Sequence, residues 1–175
     1  MTENDVVARL NSNGSELSEL LGAYLHDTVN IGYFSEKFKK FLDRGTVRFV
    51  NTWNWGAFWL GPFYSFHRKL NAHGAATLVA SFFLWPFIIA FMPFCAMTVN
   101  YFLIKQFCRD LVVADYGNSP FETVKNKISL MGGKEKWPIV VFVIFWSLTL
   151  IVFIIACIVL ILFIIAEYGY LWGDL

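Results

Sequence analysis

The stretch PIVVFVIFWSLTLIVFIIACIVLILFIIA, residues 138–166, decides the fold of this chain. After Pro138 only Ser147 and Thr149 are not apolar, and no charge, glycine or proline interrupts the run. As an α-helix the run would be roughly 42 Å long, which exceeds the hydrocarbon core of about 30 Å in a typical bilayer. A helix at the surface of a soluble protein would show a polar stripe, and this segment has none. Residues 139–166 therefore predict a transmembrane helix in an all-α integral membrane protein.

The composition supports the same class of protein. Of 175 residues, 57% are hydrophobic and 19% aromatic, whereas only 15% are charged, well outside the averages for soluble domains. The net charge of +1 argues against a nucleic-acid partner, because binding a phosphate backbone needs a basic face. Residues 1–30 are polar and lack the apolar segment of a signal peptide, so insertion is expected to use the internal apolar runs.

The cysteines and histidines do not predict a metal or redox site. Cys95, Cys108 and Cys157 lack paired spacing, and two of them lie within apolar runs, where cysteine behaves as a small hydrophobe. His67 and His73, six positions apart, would lie on opposite sides of a helix. We expect no metal, no other cofactor and no disulfide, and we interpret the histidines as interfacial polar residues.

Residues 1–48 are expected to form amphipathic helices on the cytosolic side. One helix is predicted through ELSELLGAYLHD, with Ser15 as its N-cap. A second is predicted from Ser35 to Arg44, ended by Gly45, with phenylalanines on one face and basic residues on the rest. A basic face opposite aromatic side chains is typical of a helix in the headgroup plane. The alternative is that this helix packs on the cytosolic part of the protein itself.

Residues 49–66, FVNTWNWGAFWLGPFYSF, form a second uncharged run at the lower limit of length for a span. Its closely spaced tryptophans favour the membrane interface over the bilayer centre. Gly61 and Pro62 are expected to break the helix, because proline lacks an N–H and restricts the residue before it. The run therefore predicts a re-entrant or interfacial helix.

Residues 75–104 carry no charge and allow two structures. As one helix they would be about 45 Å long and kinked at two prolines. As a short helical hairpin they would turn near residues 91–93. In either structure Asn100 needs a hydrogen-bond partner, such as Asn51, Asn54 or a backbone carbonyl.

Residues 105–138 contain charges again and are expected to lie in the cytosol. Ser119 as N-cap, Pro120 as the first helical residue and Glu122 in a capping box predict a helix over 120–131. The Gly-Gly pair that follows is expected to end this helix.

The positions of the positive charges predict the orientation. All 14 lysines and arginines precede residue 139, and the tail 167–175 has none. If 49–66 is re-entrant and 75–104 is a hairpin, all of them face the cytoplasm, as the positive-inside rule favours. If each apolar run spans once, only the two cations at 68 and 69 are misplaced. Both arrangements place the N-terminus in the cytoplasm and the C-terminus outside.

One segment resembles the signature of DUF2628, a bacterial membrane-protein family of unknown function. The segment is Trp53-Asn54-Trp55-Gly56-Ala57-Phe58-Trp59-Leu60-Gly61-Pro62-Phe63-Tyr64, followed by His67-Arg68-Lys69. Family members show aromatic–Asn–aromatic–Ala–Ala–Phe, then Gly-Pro-aromatic, then Tyr-Arg-Lys, so Gly56 and His67 depart from the pattern. Asn100-Tyr101 and Gly132-Gly133 match later features of the family.

The resemblance covers about residues 46–138 and implies a membrane domain over 49–138. It implies a multi-pass protein of the bacterial inner membrane and favours the hairpin at 75–104, but it implies no activity. The residues that it marks as a structural signature are Trp53, Asn54, Trp55, Phe58, Gly61, Pro62 and Asn100.

The junction after the Trp-rich run is the strongest candidate site. Arg68 and Lys69 beside His67 are predicted to bind an anionic lipid headgroup, with aromatic rings flanking the acyl chains. The alternative is that these cations only obey the positive-inside rule while the aromatic residues anchor the chain.

No catalytic residue is predicted, because the apolar runs contain no Asp or Glu that could relay protons or bind ions. Phe142, Phe145, Trp146 and Phe153 offer an aromatic surface to another membrane protein or to a second copy of the chain. The sequence therefore predicts an accessory or scaffold subunit of a membrane complex. The alternative is a membrane-organising protein that binds anionic lipids, and a transporter or membrane enzyme ranks below both.

Overall fold

The computed structural model describes residues 2–26, 31–43, 45–84 and 88–173. Within these ranges the chain forms nine α-helices and one two-stranded sheet, a mostly helical fold as predicted. The elements in chain order are α1 Glu3–Ser12, α2 Gly14–Leu25, α3 Ile31–Phe41, β1 Leu42–Asp43, β2 Thr46–Val47, α4 Trp55–Leu60, α5 Pro62–His67, α6 Asn71–Phe83, α7 Ile88–Val113, α8 Phe121–Met131 and α9 Trp137–Gly173. Two compact units are present, Met1–Pro138 and Ile139–Leu175, so the predicted division between residues 48 and 49 does not separate compact units.

The starts of the first two helices differ from the sequence prediction. Helix α1 was not predicted from the sequence. It begins with a capping box in which the Asp5 N–H donates to Thr2 Oγ1 (3.3 Å) and the Thr2 N–H donates to Asp5 Oδ2 (2.7 Å). Helix α2 has Asn13 as its N-cap. The predicted cap Ser15 is wrong, because it lies in the first turn and its hydroxyl donates to Asn13 Oδ1 (2.9 Å).

Helix α3 begins and ends earlier than the predicted range from Ser35 to Arg44. It covers Ile31–Phe41, and the chain then enters the antiparallel pair of β1 and β2. Gly45, in the turn between these strands, has φ +75°, which glycine adopts without a Cβ clash. Arg44 lies outside the described residues.

The aromatic face of α3 packs inside the chain, which decides between the two interpretations of this helix. Phe34, Phe38 and Phe41 are at most 9% exposed. They share one core with the apolar faces of α1, α2 and α8 and with the second half of α7. The helix therefore packs on the protein itself and does not present its phenylalanines to a headgroup plane.

The Trp-rich run forms two short helices instead of one. Helices α4 and α5 meet at Gly61, where φ is +53° and ψ is −129°, so the predicted break at Gly61 and Pro62 is confirmed. Residues 49–54 are not helical. Asn54 caps α4, because its Oδ1 accepts the N–H of Ala57 (3.1 Å).

Helices α6 and α7 run antiparallel. Gln106 Nε2 donates to the carbonyl of Lys69, just before α6, over 3.5 Å. One turn into α6, His73 lies 3.3 Å from the hydroxyl of Thr98, eight positions earlier in α7. Later residues of α6 therefore contact earlier residues of α7, as in an antiparallel pair.

This pairing corresponds to the hairpin interpretation of residues 75–104, but the predicted turn at 91–93 is wrong. Those residues lie within α7, which continues past Pro93. A proline inside a helix removes one backbone hydrogen bond and does not by itself reverse the chain. The connecting residues 85–87 lie outside the described residues.

Helix α8 starts without the predicted capping box. Pro120 occupies the N-cap and makes no side-chain hydrogen bond, while the Ser119 hydroxyl donates to Asp115 Oδ2 (3.3 Å). The predicted end at the Gly-Gly pair is confirmed, since Gly132 is the C-cap. A Cβ on Gly132 would lie 2.1 Å from the carbonyl oxygen of Tyr24, so the close approach of α8 to α2 requires glycine there.

Helix α9 confirms the long apolar helix predicted over 139–166. Among the described residues it is the one helix long and apolar enough to span a membrane, over Trp137–Glu167. No side chain in its most apolar window is buried. The helix continues to Gly173, so most of the predicted tail 167–175 is helical, and its last two residues lie outside the described part of the chain.

Candidate functional site

Two asparagines from distant parts of the chain form the centre of a buried polar network. Asn54 Nδ2 donates to Asn100 Oδ1 (2.9 Å) and to the hydroxyl of Tyr64 (3.2 Å), while Asn100 Nδ2 donates to Thr52 Oγ1 (3.0 Å). The Asn54 N–H also donates to the carbonyl of Ala96 (3.1 Å). Because a buried amide without partners costs free energy, these bonds fix α4 against α7. Asn54 is thus confirmed as a partner of Asn100.

A second polar chain connects α5, α6 and α7 through His73. The Thr98 hydroxyl donates to the carbonyl of Phe94 (2.9 Å), so its oxygen accepts from His73 Nε2–H (3.3 Å). The free Nδ1 of His73 then accepts the hydroxyl of Ser65 (2.9 Å). Burial lowers the pKa of His73 below its ordinary value of 6.5, which favours the neutral ring that this arrangement needs.

The pair of Ser65 and His73 has the hydrogen bond of a base-activated nucleophile but not its surroundings. Ser65 is 1% exposed, so a substrate does not reach its hydroxyl. The other ring nitrogen of His73 faces Thr98 and not a carboxylate. No group of three His, Cys, Asp or Glu side chains suited to a metal ion occurs in the described part of the chain. The geometry of this pair therefore supports a structural role.

Arg68 is directed into the protein. It is 7% exposed, and its Nη1 donates to the carbonyl of Leu25 (3.4 Å) while its Nε donates to the hydroxyl of Tyr64 (3.4 Å). The guanidinium carbon lies 5.8 Å from the ring centre of Phe34. Because the carbonyl end of a helix carries partial negative charge, this cation stabilises the end of α2. The headgroup contact predicted for Arg68 does not fit this burial.

The neighbours of Arg68 are held by the segment after α8. His67 Nδ1 donates to the carbonyl of Glu135 (2.5 Å), and the Glu135 N–H donates to the carbonyl of His67 (2.8 Å). Lys69 Nζ lies 3.9 Å from the Glu135 carboxylate and remains partly exposed. The three predicted headgroup ligands therefore do not converge on one exposed site.

The aromatic members of the predicted signature do come together. The rings of Trp53, Trp55 and Phe58 pack with centroids 5.3 to 5.8 Å apart. Trp55 and Trp59 are both 64% exposed. The buried indole N–H of Trp53 has no acceptor among the described residues. The start of α4 thus joins a fixed polar network to an exposed aromatic surface.

The free end of the α6–α7 pair is also apolar and exposed. Phe82, Phe83 and Phe94, called the hairpin tip below, are 81%, 77% and 50% exposed. Phe82 and Phe83 lie at the end of α6, and Phe94 lies in the first two turns of α7. A cluster of exposed apolar side chains of this size indicates a contact with lipid or with another protein.

An open groove of about 440 Å³ lies between α6 and α7, on the side of Lys105 and Arg109. Asp110 also lines it, but its Oδ2 accepts the hydroxyl of Tyr24 (2.8 Å). Burial raises the pKa of the Asp110 carboxyl, and the hydrogen bond from Tyr24 opposes that shift. The residues that line the groove are Leu70, Ala72, His73, Ala76, Phe102, Lys105, Gln106, Arg109 and Asp110. The groove therefore combines an apolar wall with two cations.

Most of the polar network and the whole groove were not predicted from the sequence. The missed residues are Thr52, Tyr64, Ser65, His73, Thr98, Lys105 and Arg109. Hydrogen-bond partners such as Asn100 and Thr52 are 48 positions apart, so no local pattern connects them. The one available signal is that polar side chains within apolar runs must find partners once buried.

The predicted partner-contact residues lie on α9, and three of them are exposed. Phe145, Trp146 and Phe153 are 50%, 52% and 64% exposed, and the rings of Phe142 and Trp146 pack with centroids 6.1 Å apart. At about 100° per residue, positions 142, 146 and 153 lie within about 40° of one another around the helix. These residues therefore form an aromatic stripe on one face, Phe142, Trp146 and Phe153, flanked by Phe145.

Comparisons with known proteins add no relative to this description. No protein-family model matches the chain. No curated protein and no solved structure matches it significantly. The resemblance to DUF2628 therefore stays a prediction from the quoted residues.

Proposed function

We propose that the chain is an accessory or scaffold subunit, anchored in a membrane by α9, that binds other membrane proteins through the aromatic stripe. The observation that carries this proposal is the exposure of α9, whose uncharged, apolar side chains are open around the helix. A helix of that length satisfies its own backbone hydrogen bonds in lipid, and its side chains favour the hydrocarbon core.

The orientation in this proposal follows the positive charges. The N-terminus lies in the cytoplasm and the C-terminus outside, because all lysines and arginines precede α9. The resemblance to DUF2628 supports placing the chain in the bacterial inner membrane.

The α6–α7 pair supports a second, shallower contact with the same membrane. From Lys105 to Phe94 is a rise of eleven residues, about 16 Å, close to half of a hydrocarbon core of about 30 Å. With the cation at the headgroup level, the hairpin tip reaches about the middle of the bilayer. This geometry supports a hairpin that enters one leaflet and returns.

Partner binding is tested by purification of the full-length chain from its native membrane in mild detergent. We expect a defined membrane protein to co-purify at fixed stoichiometry. Replacing Phe142, Trp146 and Phe153 together by Leu keeps α9 apolar but removes the stripe, so the partner should be lost. The matched control replaces Ile144, Ile151 and Ile155 on the opposite face by Leu and should retain the partner. A clean monomer from several mild detergents would contradict the proposal.

A lipid-binding, membrane-organising protein is the second candidate function. The exposed hairpin tip and the two cations of the groove favour it, since both suit a lipid surface. A transporter or membrane enzyme finds less support, because Ser65 and His73 are occupied with each other inside the fold.

A further inference from the structure

We propose that the groove between α6 and α7 binds one anionic phospholipid, with its phosphate on Lys105 and Arg109 and an acyl chain along Phe102 toward the hairpin tip. The proposal rests on the membrane location argued above, and it places lipid binding in this groove instead of at residues 67–69. The groove is a site built from two helices, which the sequence pattern did not indicate.

The cations of the groove are placed for a phosphate. Lys105 and Arg109 are four positions apart, so they share one face of α7. Neither forms an ion pair within the described ranges, in contrast to Lys69, which lies 3.9 Å from Glu135. The nearest acid of the groove, Asp110, is hydrogen-bonded to Tyr24. A bound phosphate would therefore meet two positive charges, next to the Asp110 carboxyl, which accepts the Tyr24 hydroxyl and lies within the field of Arg109.

The wall of the groove is apolar and leaves room for a chain. Ala72 and Ala76 are exposed and small, one turn apart on α6. Phe102 of α7 faces them across the groove and packs on the ring of His73, with centroids 4.4 Å apart. Small residues opposite a ring leave a channel that a side chain from either helix would otherwise fill. A methylene chain gains free energy by lying along such a surface.

The direction of the groove also fits a lipid. Its cations, Lys105 and Arg109, follow Phe102 along α7, and Phe94 lies eight positions before Phe102 on the same helix. The separation of about 16 Å between Lys105 and Phe94 matches the depth of one leaflet. An amphiphile with an anionic head at one end satisfies both ends at once, whereas free phosphate would use only the cations.

Native mass spectrometry of the full-length chain tests the proposal, in detergent micelles doped with phosphatidylglycerol or phosphatidylcholine. We expect phosphatidylglycerol to remain bound preferentially. The double variant Lys105→Gln/Arg109→Gln should weaken its binding about 30-fold, given the usual contribution of each basic side chain near an anionic lipid surface. The matched control Lys40→Gln/Lys127→Gln removes two exposed cations elsewhere and should change binding less than twofold.

A second pair of variants tests the groove without changing charge. Ala76→Trp places an indole in the groove and should displace the lipid, whereas Ala75→Trp, at an exposed neighbouring position outside the groove, should leave it bound. Equal losses from the two alanine variants would contradict the proposal. So would equal retention of phosphatidylcholine by the unmodified chain, or displacement of phosphatidylglycerol by inorganic phosphate, which would assign the cations to a free anion.

These results are distinguishable from a failure of the accessory role. Groove variants leave the aromatic stripe of α9 intact, so they should still co-purify with the membrane partner. Lipid binding lost with the partner retained supports the groove. A partner lost from the stripe variant with lipid binding retained supports the scaffold role independently.

Discussion

Helices α7 and α9 are the two longest in the described chain, with 26 and 37 residues, and both are apolar, yet their surroundings differ. In α7, Leu103, Ile104 and Phe107 are at most 1% exposed, because α1, α2, α3 and α8 pack around them. In α9, Phe145 and Phe153 are at least half exposed. The amides of α7, Asn100 and Gln106, donate to Thr52 and to the carbonyl of Lys69 elsewhere in the chain. By contrast, α9 has no charged or amide residue before Glu167. Polar residues within an apolar helix therefore indicate its surroundings better than its length does.

The largest expected effect is a difference in stability between a variant of the buried helix α7 and a variant of the exposed helix α9. Phe107→Ala should lower the free energy of unfolding of the Met1–Pro138 unit by about 3 to 5 kcal/mol, because a buried ring leaves a cavity. Phe153→Ala in α9 should change it by less than about 0.5 kcal/mol, as for exposed positions. Urea unfolding of both full-length variants in detergent, followed by circular dichroism, measures the difference. Similar losses of unfolding free energy in the two variants would contradict the difference in packing between α7 and α9.

A smaller effect is expected from the amide of α7. Asn100→Leu should destabilise the chain by about 1 to 3 kcal/mol, because Thr52 and Asn54 lose a buried partner. Asn126→Leu, at an exposed position of α8, is the control and should be nearly neutral. The same unfolding experiment measures both variants. A neutral Asn100→Leu would mean that the polar network does not fix α4 to α7.

The smallest effect concerns the pH dependence of stability. Since burial lowers the pKa of His73 in the folded chain, the unfolded chain binds more protons as the pH falls through 6.5. The contribution of His73 to the free energy of unfolding is therefore complete above pH 6.5. It is lost as the pH falls below that value, at up to about 1.4 kcal/mol per pH unit. His73→Gln should flatten this part of the unfolding profile. An unchanged slope in His73→Gln would contradict the neutral, hydrogen-bonded ring.

Features that depend on a few neighbouring residues could be predicted from the sequence. The apolar run of α9, the break at Gly61 and Pro62 and the end of α8 at Gly132 each follow from a few neighbouring residues. The partner of Asn100 could also be predicted, because few polar groups occur in the uncharged runs.

Features that depend on tertiary packing could not be predicted. The phenylalanines of α3 suit a lipid surface and a protein core equally, and only the presence of α1, α2 and α7 decides between them. Arg68 has the sequence context of a headgroup ligand, but Leu25 supplies a carbonyl from 43 positions away. Ser119 matches a capping box, yet its hydroxyl binds Asp115. In each of these cases a distant or competing partner takes the place of the local one.

Membrane integration through α9 is tested most directly by alkaline carbonate extraction of native membranes, followed by ultracentrifugation. We expect the full-length chain to stay in the membrane pellet and to enter solution only with detergent. Recovery of a monodisperse protein from the detergent-free supernatant would contradict it.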